Sequence, residues 1–216
     1  MRGIERVEEI CKRLSESFPN PKTELEYISD YTFLISVVLS AQTTDIQVNK
    51  VTSKLFEKYK TIDDILELGL DNLLEEIKSI GLYKRKAANI IALSAILKEK
   101  HNGVVPNDRE SLEELPGVGR KTANVVMNTL YNAPAIAVDT HVLRVSGRLE
   151  LSNSSNPLKV EADLEEIIPD IYKTNISNLL VLHGRYVCKA KKPSCSSCIL
   201  KDVCNTGANA IAIYTI

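Results

Sequence analysis

Lys121 follows a Gly-x-Gly turn in the stretch "LPGVGRKTANVV", which runs from Leu115 to Val126. Two positive charges, Arg120 and Lys121, open an apolar, helix-like run. A helix N-terminus already carries partial positive charge and four unpaired N–H groups, so acidic residues belong there. Charges of the opposite sign imply either that an anion is expected or that the lysine works in a less charged form. Gly117 and Gly119 permit positive φ and expose backbone N–H groups, which together with the helix end suit a phosphate. Such a contact is made to the backbone and carries no sequence information. An ordinary helix–helix turn with exposed charges has the same local sequence. For Lys121, burial beside Arg120 would favour the neutral amine, which attacks a sugar carbon or a carbonyl to form a Schiff base. The competing reading is a surface lysine touching phosphate.

Two further groups carry chemistry. Asp139 ends the apolar run "AIAV" and starts the helix-like "THVLRVSGRL". Aspartate is a preferred N-cap, worth about 1 kcal/mol. A capping carboxylate still has a second oxygen, so it can also stabilise a cationic sugar or manage protons. His141, Arg144 and Arg148 recur downstream at helical spacing, and His141 reads as structural or phosphate-contacting rather than as a general base. The last group is Cys188, Cys195, Cys198 and Cys204, in the pattern C-x6-C-x2-C-x5-C. Thiols clustered in this way are a metal signal, and four thiolates suit either zinc or a [4Fe–4S] cluster. No histidine or carboxylate joins the pattern, so the metal reads as structural. Lys189, Lys191 and Lys192 lie between the first two cysteines and present positive charge beside it. Cys11 stands apart on an apolar helix face and reads as core.

The elements that must position these groups are helical. Apolar residues recur at helical spacing in Ile4–Leu14, in residues 44–59 behind a Thr44 cap, and in residues 84–100. "YTFLISVVLSAQ" reads as a buried helix, and Asp71 as the cap of a helix that ends at Gly81. Further helices are expected at 109–115, 120–131, 140–149, 158–168 and 175–185. Only "PAIAVD" passes for a short strand, so the fold class is all-α. Arg85-Lys86-Ala87-Ala88-Asn89-Ile90-Ile91 echoes Arg120-Lys121-Thr122-Ala123-Asn124-Val125-Val126, which supplies a second lysine in similar surroundings but without the glycine turn.

The 216 residues, 44% hydrophobic and 25% charged, fit one large domain or two small ones. No stretch approaches membrane-spanning length, and the N-terminus does not read as a signal peptide. The expected location is cytoplasmic, nucleoid-associated in a prokaryote, where free or ligating cysteines outnumber disulfides. A net charge of −1 gives no general support to nucleic-acid binding, so any such contact must rest on local clusters. These are Lys84-Arg85-Lys86, Arg120-Lys121 and the cysteine-loop lysines, each of which also reads as a solvated face.

Taken together, Val38–Asp45, "IGLYKRKAANI", "LPGVGRKTANVV", "AVDTH", "LHGRYVC" and the cysteine pattern closely resemble the endonuclease III family of base-excision DNA glycosylases. The match runs in order along nearly the whole chain. It implies a two-domain helix-hairpin-helix glycosylase fold with a cleft between a six-helix domain (22–133) and an iron-sulfur domain (1–21 plus 134–216). It implies removal of oxidised pyrimidines from double-stranded DNA by a monomer, then cleavage of the abasic site by β-elimination through a lysine Schiff base. Lys121 matches the nucleophile and Asp139 the catalytic carboxylate. Gln42 and Leu82 match the residues that fill the gap left by a flipped nucleotide, and Cys188, Cys195, Cys198 and Cys204 the [4Fe–4S] ligands. Gly117, Gly119, Arg120, His141 and Lys191 are the expected phosphate contacts. Two features depart from the family: the chain is slightly acidic, and the tail after Cys204 is apolar rather than lysine-rich. An adenine-glycosylase relative would usually lack the lysine at 121. A non-catalytic DNA-binding module would have no need of Lys121 with Asp139.

Overall fold

The computed structural model describes residues 3–206, and the apolar tail from residue 207 onward lies outside them. Within the described residues the chain is helical, without a strand. It divides into two compact units, Glu24–Tyr131 and a discontinuous one of Met1–Thr23 with Asn132–Ile216.

The contiguous unit is built around α2 (Asp30–Ser40). A capping box of Ser29 and Thr32 starts this helix, and every residue from Tyr31 to Leu39 is buried. A helix apolar on all faces must be the centre of its unit. It packs against α3 (Asp45–Lys58), α5 (Tyr83–Lys100) and α7 (Arg120–Tyr131). Thr44 caps α3 as its position suggests, accepting from Gln47 N–H. Tyr31 and Ser94 join α2 to α5 by a buried hydroxyl pair at 2.6 Å. Between them, α4 (Ile62–Ile77) starts well before Asp71, the expected cap. Thr61 and Asp64 form a capping box there, and Gly69, at φ 73, breaks the helix into two pieces. The short α6 (Arg109–Glu113), capped by Asp108, completes this unit beside α7.

The discontinuous unit joins α1 (Ile4–Ser17) to α8 (Thr140–Arg148), α9 (Pro157–Ile167) and α10 (Asp170–Tyr186). Val7, Ile10, Cys11 and Leu14 of α1 enter its core, and burial pushes the Cys11 thiol up to about 12. Arg6 donates to Val203 O at 2.9 Å and to Leu149 O at 2.6 Å. Arg13 bridges to Asp202 at 2.6 Å. The first helix is thereby tied to the last described turns. The segment 134–139 is not a strand: it runs irregularly, with Ala135–Val138 buried and Ala137 N–H bonded to Ser177 Oγ at 2.9 Å. Its apolar run serves core packing, and among the described residues there is no strand for it to pair with. Helix α10 begins at Asp170, behind Pro169, five positions before the expected start at Asn175. Proline's fixed φ suits the entry to a helix. Among the described residues no helix is long and apolar enough to cross a membrane.

Candidate functional site

The glycine hairpin lies between α6 and α7. Leu112, Leu115 and Val118 are buried and anchor it, and Arg109 Nε donates to Asn124 Oδ1 at 3.0 Å across it. Only one of the two glycines takes positive φ. Gly117 sits at φ 84, and a Cβ there would lie 2.7 Å from Asn89 Nδ2. Gly119 has an ordinary φ and open space around it, so what it offers is unobstructed backbone. Its carbonyl accepts from Ala123 N–H at 2.9 Å, which starts α7. The first turn of α7 holds no acidic residue, and both Arg120 and Lys121 are exposed. The partial burial expected for Lys121 is absent. The arrangement is a positive helix end, presented to solvent with an amine in its first turn.

A second feature of the same unit is a pair of exposed residues in left-handed backbone. Gln42 has φ 55 and Leu82 has φ 59, with Leu82 57% exposed. Neither is glycine, and such conformations cost roughly 1–2 kcal/mol each. Strain held by non-glycine residues at an exposed position points to function. Lys86, the echo of Lys121, is only 4% exposed. Its ammonium donates to Leu39 O at 2.9 Å, Ala41 O at 2.7 Å and Thr43 Oγ1 at 3.0 Å. Burial pulls this ammonium below the usual lysine range, and the three acceptors hold it in place. Of the basic run at 84–86, only Lys84 and Arg85 remain at the surface.

In the other unit Asp139 is the N-cap of α8, with Oδ1 accepting from Val142 N–H at 2.8 Å. The cap uses one carboxylate oxygen of a half-buried side chain. His141 Nδ1 lies 3.2 Å from Arg144 Nη2. A guanidinium can only donate, so Nδ1 accepts and the ring proton sits on Nε2, leaving a donor suited to phosphate. Arg144 also donates to Gly184 O at 3.0 Å. A Cβ on Gly184 would come within 3.1 Å of both Arg144 and His141, so glycine is what lets α10 approach α8 this closely.

The cysteine loop is held from α8. Arg148 donates to Lys189 O at 2.8 Å and Ala190 O at 3.1 Å, and its Nη1 lies 3.4 Å from Cys188 Sγ. Spacing from His141 had marked Arg144 and Arg148 without assigning them this task; their targets lie some forty residues away. All four cysteines are free thiols and line one pocket with His183 and Leu149. Cys198 Sγ accepts from Leu200 N–H at 3.4 Å. Burial raises the Cys198 thiol, and its three sister thiols add to the effect. His183 is buried with Nδ1 unpartnered and Nε2 3.8 Å from Cys198 Sγ, and burial pulls it down to about 4. Among the described residues no three His, Cys, Asp or Glu side chains converge around one ion. Lys189, Lys191 and Lys192 are exposed on the loop.

Comparison with known proteins gives the family. A family model described as HhH-GPD superfamily base excision DNA repair protein matches residues 35–170. The chain is 53% identical to endonuclease III of Haemophilus influenzae, over 94% of this chain and 96% of that one. It is 51% identical to endonuclease III of Escherichia coli strain K12, over 91% and 93% of the two chains. Among solved structures it is similar to an endonuclease III trapped with DNA as a covalent intermediate. That match has a TM-score of 0.91 at 45% identity and covers 98% of this chain and 100% of that one.

Proposed function

Because the chain belongs to the endonuclease III family of base-excision DNA glycosylases, within the HhH-GPD superfamily, we propose that it removes oxidised pyrimidines from duplex DNA and cleaves the abasic site through a Schiff base on Lys121. The observation that carries this reading is the placement of Lys121. It is an exposed amine in the first turn of a helix that has no carboxylate there and follows a glycine turn. The related endonuclease III trapped covalently on DNA supports a covalent step.

In this mechanism the damaged nucleotide leaves the stack, at a cost of a few kcal/mol. Gln42 and Leu82, already strained and exposed, enter the gap as a wedge. The backbone at Gly117 and Gly119, with Arg120, His141 Nε2–H and Lys191, neutralises phosphates. The Lys121 amine, after giving up a proton to solvent, bonds to the sugar's anomeric carbon while the C–N glycosidic bond breaks and the base departs with its electron pair, taking up a proton. Ring opening gives a cationic imine. Loss of a proton from the neighbouring carbon then expels the 3′ phosphate, and water releases Lys121. Asp139 offers a negative charge to the cationic sugar. The enzyme acts as a monomer.

Cys188, Cys195, Cys198 and Cys204 would hold a [4Fe–4S] cluster. The donor set fits: four free thiols, all sulfur, line one pocket, with an N–H directed at Cys198 Sγ and Arg148 beside Cys188 Sγ. A four-iron cluster is wider than one ion and does not require three thiols around a single point. When bound, the cluster supplies a rigid crosslink of the loop that carries Lys189, Lys191 and Lys192.

Borohydride trapping on a duplex with one thymine glycol tests the reading. Wild type is expected to give a covalent adduct and Lys121→Ala none. Failure of wild type to give an adduct, despite binding the duplex, would sink the lyase mechanism.

A further inference from the structure

We propose that Lys86 is a positioning residue for duplex opening, fixing Gln42 and Leu82 as one two-pronged wedge. This rests on the glycosylase reading above.

The geometry singles out Lys86 because it is bonded to the surroundings of both prongs. Its backbone N–H donates to Leu82 O at 3.1 Å. Its ammonium donates to Ala41 O at 2.7 Å and Thr43 Oγ1 at 3.0 Å, the residues on either side of Gln42. The third donor takes Leu39 O at 2.9 Å, at the end of α2 where helix carbonyls lack intrahelical partners. An ammonium has three donors, and all three are used. Both prongs have left-handed φ, Gln42 at 55 and Leu82 at 59, as do Asn102, Asn132, Glu150 and Lys192 elsewhere. A left-handed non-glycine residue persists only where its surroundings over-determine it. The Lys86 ammonium ties both flanks of Gln42 to the first turn of α5, whose N-cap is Leu82; the Lys86 N–H bond to Leu82 O is that helix's own first-turn bond. A lysine placed only for packing would not need both flanks of one exposed residue as acceptors.

A second tie keeps the test clean. Gln47 Nε2 donates to Ser79 Oγ at 3.1 Å, joining α3 to the segment before Leu82. The two loops therefore stay together when the ammonium is lost, while the turn at Gln42 is left with its own bond from Thr43 N–H to Ser40 O at 3.0 Å.

The test compares cleavage rates on two substrates under single turnover. One is a duplex with a thymine glycol, which must be opened. The other is a single strand with an abasic site, which has no stack to open. Lys86→Met is expected to lower the duplex-to-single-strand ratio by roughly tenfold or more, the scale set by misplacing a positioned group. In a Gln42→Ala background the same substitution is expected to lower it no further. An unchanged ratio, an equal loss on both substrates, or losses that multiply in the double variant would each overturn the proposal. If Lys86→Met does not fold, Thr43→Val removes the hydroxyl that accepts from Lys86 and donates to Ala41 O, and leaves the ammonium its two carbonyl acceptors. It should lower the ratio in the same direction by a smaller factor, and no change would overturn the proposal. A wild type inactive on the abasic strand removes the lyase reading and this proposal together. An active wild type matched by Lys86→Met removes this proposal alone.

Discussion

Arg85–Ile91 and Arg120–Val126 share one pattern: a basic pair, small residues, an asparagine and two aliphatics. Both open a helix of the same unit, yet their lysines have opposite surroundings. Lys86 is buried and gives each of its protons to a named acceptor. Lys121 is exposed in its first turn. What precedes each helix makes the difference. Before α5 the chain arrives through Leu82, and α2 ends close enough to offer its last carbonyls to Lys86. Before α7 it arrives through a glycine hairpin that keeps the helix end in solvent. The same few residues serve structure in one place and chemistry in the other.

The largest expected effects separate the two lysines along different axes. Lys121→Ala should lower turnover by about 10³-fold or more, as removal of a nucleophile does. It should leave unfolding in urea within about 0.5 kcal/mol of wild type. Lys86→Ala should do the reverse in stability, costing about 1–3 kcal/mol because the buried carbonyl oxygen of Leu39 and the part-buried one of Ala41 lose their donor. Urea melts of both variants decide it. A Lys121→Ala variant less stable than Lys86→Ala would break the comparison.

The hairpin gives a smaller effect. Gly117→Ala is expected to cost about 1–3 kcal/mol, from a left-handed φ and a clash with Asn89. Gly119→Ala, with open space and ordinary φ, should stay within about 1 kcal/mol, the usual scale for this change. Thermal unfolding of the pair measures the difference, and equal losses would show that the turn's geometry is not what sets the helices apart.

The smallest effect is a coupling. Asn89 belongs to the first region and touches the glycine of the second. Asn89→Ala should make Gly117→Ala cheaper by about 0.5–1 kcal/mol, since it removes the amide but leaves the strained φ. A double-mutant cycle reads this directly, and strict additivity would deny the contact between the two regions.

Much of this architecture is legible along the chain because it depends on near neighbours. The Thr44 and Asp139 caps and the apolar runs of α2, α5 and α7 follow from residues three or four positions apart. The burial of Lys86 does not, because its acceptors come from 43 to 47 positions away. The same holds for Arg148, which clasps a loop 40 positions downstream. The first half of α4 escapes a periodicity reading because Gly69 resets the phase of the stripe. The segment 134–139 reads like a short apolar strand but is buried as irregular chain, with Ala137 N–H bonded to Ser177 Oγ of α10. Strained backbone at Gln42 and Leu82 has no signature in residue type at all, since neither is glycine or asparagine.

The anchoring of α1 by Arg6 and Arg13 has a consequence for biosynthesis. Their acceptors at Val203 and Asp202 lie 197 and 189 positions downstream, so α1 is made well before them. At about 5–20 residues per second a ribosome leaves this helix waiting for about ten to forty seconds, its apolar face of Val7, Ile10 and Leu14 without a partner. The unit from Glu24 to Tyr131 has no such wait, since all its pieces emerge in one run. Stalling before Asp202 would therefore release a chain with one finished unit and one whose opening helix lacks these acceptors.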